Sequence, residues 1–107
     1  MVGWLSGRKR TLVILRMISR RLRKCMNYTY VIKSQKKKWF YIGSTRDLKT
    51  RIIKHNAGKI KSTKFYKPFE LIYYESYNTY TLARKREIEL KKNGQQKEIL
   101  FRKLGIL

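Results

Sequence analysis

The chain is short of several residue types, and each shortage excludes something. It has one cysteine, Cys25, so no disulfide can form within it. With one histidine besides, His55, a zinc site built from Cys and His ligands is excluded as well. Both facts suit a reducing interior. The single proline, Pro68, leaves helices and strands free to run. No apolar run approaches the roughly 18 residues that a membrane-spanning helix needs. Acids are the scarcest class relative to their counterparts: 6 Asp and Glu stand against 28 Lys and Arg, a net charge of +22.

That excess strains a compact state by self-repulsion unless an anion relieves it. Nucleic acid is the first candidate, because each neutralised phosphate releases counterions. An anionic membrane surface is the second. The hydrophobic share of 42% and the aromatic share of 13% are enough for a folded core. A chain of 107 residues fits one domain.

Residues 1–25 differ from the rest. They carry eight basic residues and no acid. Their apolar stretch is too short for a secretory signal, and no small-residue cleavage site follows. They read as a basic extension, poorly ordered or loosely helical. It is a targeting peptide, a nucleic-acid arm or, the favoured alternative, a start-site overrun ahead of Met26. Residues 26–107 form the domain. The expected location is the cytoplasm, or an organelle if residues 1–25 are a targeting peptide.

From Asn27 onward the pattern is regular. Tyr28–Lys33 is β-branched and aromatic and predicts a strand. Ser34–Lys38 makes a hairpin turn, and Trp39–Gly43 returns. A helix follows, capped by Ser44 or Thr45, with Asp47 in its first turn and its end at Asn56–Gly58. Lys59–Pro68 is a basic loop. Phe69–Tyr77 is a third strand, expected at the centre of the sheet because it is apolar on both faces. A helix capped by Asn78 or Thr79 runs to Asn93-Gly94, and a short last helix carries Ile99, Leu100 and Leu104. The fold class is α/β: a small three-stranded antiparallel sheet flanked by helices, in the order β-β-α-β-α-α.

Three constellations carry chemistry. Leu48, Arg51, Ile52 and His55 share one helical face, which puts Arg51 and His55 one turn apart beside the sheet. Alone, they are a snorkelling arginine and a rim histidine. Glu87 lies on an apolar stripe with Tyr80, Ala83 and Leu90. It needs a partner there, either an arginine or a hard divalent cation. Tyr30 and Tyr41 face each other across the hairpin, where paired tyrosines usually serve packing. Together these groups match phosphodiester cleavage: a phenol or imidazole takes the proton, Arg51 meets the charge developing on phosphorus, and Glu87 holds one metal. Gly43 would let phosphate approach the backbone. Lys36, Lys37 and Lys38 on the turn, and Lys59, Lys61, Lys64 and Lys67 on the loop, would track a nucleic-acid backbone.

Tyr28-Thr29-Tyr30, then Tyr41-Ile42-Gly43, Arg51-x-x-x-His55 and the glutamate of LARKREIELKK resemble the GIY-YIG nuclease superfamily. Length and loop spacing look most like its small stand-alone bacterial members. The resemblance implies a divalent-metal-dependent endonuclease that hydrolyses phosphodiester bonds in DNA, in DNA repair or a mobile element. By position it gives Tyr30, Tyr41, Arg51, His55 and Glu87 catalytic roles, with Tyr30 as general base and His55 as relay. Glu87 is the ligand of a single Mg²⁺ or Mn²⁺. For Tyr30 to act as a base, Lys64, Arg51 and the metal must lower its pKa. Two departures stand out: Tyr28-Thr29 replaces Gly-Ile, and Ile99 stands where the family often has asparagine. The implied partner is DNA, branched or damaged DNA included, with no membrane. Any further specificity would come from a partner protein or a homodimer. The rival is a nucleic-acid-binding module of the same fold that cuts weakly or not at all. A basic structural protein of a ribonucleoprotein would explain the charge but not Glu87.

Overall fold

The computed structural model describes residues 26–106. The basic extension expected over 1–25 lies outside the described residues. The elements are β1 (Asn27–Ser34), β2 (Phe40–Thr45), α1 (Leu48–Asn56), a 3₁₀ turn (Lys64–Tyr66), β3 (Phe69–Tyr77), α2 (Tyr80–Lys92) and α3 (Gly94–Lys103). The order β-β-α-β-α-α and the antiparallel sheet are those expected.

The strand order is β2-β1-β3, so the central strand is β1 and not β3, as the apolar pattern had suggested. The pattern misled because helices cover both faces of the sheet, so this edge strand is apolar on both: Phe69 and Leu71 enter one core and Ile72 the other. Val31 pairs with Tyr73, and Ile32 pairs with Leu71. Skipping one residue places Ile72 and Tyr73 on the same side, in the core opposite Leu71. By contrast β1 is buried almost throughout, and its polar residues are satisfied there. Thr29 donates to the Ala83 carbonyl at 2.7 Å, and Ser34 to that of Tyr66 at 2.6 Å.

Alternation along β1 builds two cores. Tyr28, Tyr30 and Ile32 pack with Leu48 and Ile52 of α1 and with Phe69 and Leu71. Val31 on the other face packs with Ile42, Ile72, Leu90 of α2, and Leu100 and Phe101 of α3. The sheet is therefore sandwiched between α1 and the α2–α3 pair. Among the described residues β2 pairs on one side only, and the site forms around its other edge.

The N-cap of α1 differs from expectation, while Thr79 caps α2 as one of the two residues expected there. Asp47 is itself the N-cap of α1, accepting from the Thr50 amide at 3.1 Å, while Ser44 and Thr45 belong to β2. Gly58, with φ of 74°, turns the chain away after α1. Thr79 caps α2, accepting from the Leu82 amide at 3.2 Å. Among the described residues no helix is long and apolar enough to cross a membrane.

Candidate active site

The β1–β2 register sets the first part of the site. Tyr30 pairs directly with Gly43, not with Tyr41. Tyr41, two residues back along β2, is its diagonal neighbour on the same face, with ring centroids 6.5 Å apart. The Tyr30 ring lies across the Gly43 backbone. A Cβ on Gly43 would stand 2.5 Å from Tyr30 Oη. The space at Gly43 thus belongs to the phenol, not to an approaching phosphate.

The end of α1 supplies the second part. Leu48 and Ile52 anchor the helix, and the same stripe carries His55 into full burial rather than to the rim. Its Nε2 meets Tyr30 Oη at 2.8 Å and its Nδ1 meets Thr63 Oγ1 at 2.8 Å. The Thr63 hydroxyl also reaches the Ile60 carbonyl at 3.4 Å. If its proton points there, His55 Nδ1 donates to Thr63, and Nε2 is left to accept from Tyr30. Burial, helped by the Arg51 charge, holds the imidazole down at about 4, so it is neutral near pH 7. Burial also pushes the Tyr30 phenol well above its ordinary value, outweighing the adjacent Arg51. This reverses the expected lowering. Arg51 is half-buried beside the phenol, and its buried Nε finds no acceptor among the described residues.

The third part lies around the open edge of β2. Ser44 points to the face opposite Gly43 and donates to Glu87 Oε1. Glu87 Oε2 takes Lys91 Nζ at 2.6 Å and Arg84 Nη1 at 2.8 Å. Burial favours the neutral acid, but these bonds outweigh it and hold the carboxyl below its usual range. Lys91 Nζ also sits 5.2 Å from the centre of the Tyr41 ring, linking the two faces of the strand.

A family model described as the GIY-YIG catalytic domain matches residues 26–99. The chain belongs to the GIY-YIG family. A UPF0213 protein of Staphylococcus saprophyticus is 40% identical over 74 residues, 68% of this chain and 89% of that protein. The UPF0213 protein YazA of Bacillus subtilis is 40% identical over 76 residues, 70% of this chain and 76% of its own length. The matched unit thus makes up most of these small bacterial proteins. No solved structure matches the chain.

In this GIY-YIG chain, Tyr30, Tyr41, Arg51 and His55 gather on one face of the sheet. Glu87 reaches the same strand edge from the other. Lys36, Lys37 and Lys38 are exposed on the hairpin turn, and Lys59, Lys61, Lys64 and Lys67 on the loop after α1. Sequence reasoning missed four participants: Ser44, Thr63, Arg84 and Lys91. Arg84 and Lys91 stand at i−3 and i+4 from Glu87, a spacing that marks them as ion-pair partners on a helix. Nothing local marks Ser44 or Thr63, whose roles arise only from tertiary contact.

Proposed function

We propose that the chain is a divalent-metal-dependent endonuclease that hydrolyses phosphodiester bonds in DNA. The observation that carries this is the buried Tyr30–His55–Thr63 chain with Arg51 beside it, whose Nε lacks an acceptor among the described residues. A packing role alone does not call for an imidazole between two hydroxyls beside a guanidinium whose buried Nε has no acceptor among the described residues.

Both Tyr30 and His55 are uncharged near neutrality, so Tyr30 acts as a relay and not as a preformed phenolate. Tyr30 is fully buried in the free protein, so substrate binding must first admit the attacking water to its Oη; the water then passes its proton to Tyr30 Oη as the phenol passes its own to His55 Nε2. In the free protein, burial and Arg51 oppose the resulting imidazolium. A substrate phosphate paired with Arg51 offsets that cation and makes the transfer easier. Arg51 then stabilises the negative charge that grows on the phosphoryl oxygens.

Glu87 fits a one-carboxylate cation site. It is ionised, Ser44 fixes its orientation, and its two cations are exposed side chains free to turn toward substrate phosphate. Among the described residues no cluster of three His, Cys, Asp or Glu exists, so water and phosphate would complete the coordination of Mg²⁺ or Mn²⁺. When bound, the metal supplies positive charge at the leaving oxygen.

The test is nicking of supercoiled plasmid and branched DNA in Mg²⁺ or Mn²⁺. The wild type cuts. Arg51→Ala and Glu87→Gln, both still folded, lose on the order of 10²–10³-fold in rate. No cutting with either metal, or equal cutting by the variants, rules the proposal out. Tight binding without cutting would instead favour a binding module.

A further inference from the structure

The 3₁₀ turn carries a feature that hydrolysis does not use. Phe65 is 76% exposed, the most open of the large apolar side chains described. It sits in a stretch, Lys59 to Phe69, that holds Lys59, Lys61, Lys64 and Lys67 and no acid. The Lys64 ammonium lies 5.0 Å from the centre of the Phe65 ring. That contact is a weak cation–π attraction, and it leaves most of the ring open to solvent and to a ligand.

The turn is also tied to the candidate active site. Thr63, two residues before Phe65, contacts His55 Nδ1 at 2.8 Å. Two residues of chain span at most about 7 Å between Cα atoms. On its other side Ser34 binds the Tyr66 carbonyl at 2.6 Å, so the turn is held at both ends.

We infer that Phe65 is a stacking platform for an unpaired nucleobase next to the scissile phosphate, with Lys64 taking the adjoining phosphate. This rests on the nuclease reading above and names its substrate class. The charge of the loop selects a polyanion, and the ring selects one with flat apolar faces. Bases inside a continuous duplex have both faces covered by their neighbours. Only single strands, flaps, gaps or ends present a free face to a loop ring. The preferred substrate therefore carries unpaired nucleotides at the cut.

Binding is measured in EDTA, so a chain that never cuts still gives a clear result. The probes are a single-stranded oligonucleotide bearing 2-aminopurine, the same sequence as blunt duplex, and vesicles rich in anionic phospholipid. The wild type binds the single strand and changes its fluorescence. Phe65→Ala leaves the melting temperature and duplex affinity unchanged, removes the fluorescence change and weakens single-strand binding about tenfold. Phe65→Trp restores both. An equal loss on single strand and duplex, no loss on either, or a loss confined to vesicles overturns the inference. Failure of the plasmid assay alone would bear on catalysis and leave this binding result standing.

Discussion

A methyl group on Gly43 would lie 2.5 Å from Tyr30 Oη and 2.6 Å from its Cζ, well inside van der Waals contact. Gly43→Ala must therefore push the phenol off the strand and away from His55 Nε2. Overpacking of this kind costs about 1–3 kcal/mol. The expected outcome is a melting temperature lower by several degrees and cleavage reduced toward the level of Tyr30→Phe. Unchanged cleavage would mean that the Tyr30–His55 contact is not needed. Tyr30, Arg51, His55 and Glu87 were legible in the sequence because regular spacing carries them: helical repeats for three, a hairpin for the fourth. The role of Gly43 was not legible, since only the register shows that the ring opposite fills its space. Nor was the protonation of Tyr30. Charge counting pointed to a lowered pKa, while complete burial raises it.

At the scale of elements, segment types were legible and their neighbours were not. Composition marks β1, β2 and β3 as strands, but strand order depends on which faces the helices cover. Cover on both faces of β3 hid its edge position behind an apolar pattern. Asn93 shows how a local signal resolves. It closes α2, its amide donating to the Glu89 carbonyl at 2.8 Å. It also opens α3, its side chain accepting from the Gln95 and Gln96 amides at 3.1 and 3.2 Å. One side chain therefore holds the corner between the helices that cover the second core. Asn93→Ala should cost about 1 kcal/mol, seen in urea unfolding, and Asn93→Asp should retain most of the stability. Below the transition, cleavage should be unchanged in both. A folded Asn93→Ala protein that no longer cuts would give Asn93 a part in the site that its capping geometry does not.

For the whole molecule the acids are too few to balance the charge, yet they are tied into the fold. Asp47 caps α1, Glu87 joins β2 to α2, Glu98 pairs with Arg102, and Glu75 accepts from Tyr73, Tyr77 and Arg86, which also pairs with Glu89. Acid attacks this arrangement in two stages. His55 has an ordinary pKa of 6.5 and is held at about 4 by burial and Arg51. Between these values the unfolded chain binds more protons than the folded one, so stability rises with pH across that window. The contribution is complete above about 6.5 and is lost as pH falls toward 4, up to ~3 kcal/mol in all. Burial raises Glu75 and Glu87, but hydrogen bonds and cations outweigh it and hold both below their usual range, so their contribution stays whole down to about pH 5 and fades as pH falls through the ordinary value of 4.5 and below. Urea midpoints followed from pH 7.5 to 5 in high salt, which mutes the long-range repulsion of the net +22 charge, should therefore fall in the wild type. In His55→Gln they should start lower and stay nearly flat. A wild-type profile as flat as that of His55→Gln would mean that His55 takes up its proton as readily in the fold as outside it. The neutral imidazole on which the proposed relay depends would then be lost below pH 6.5.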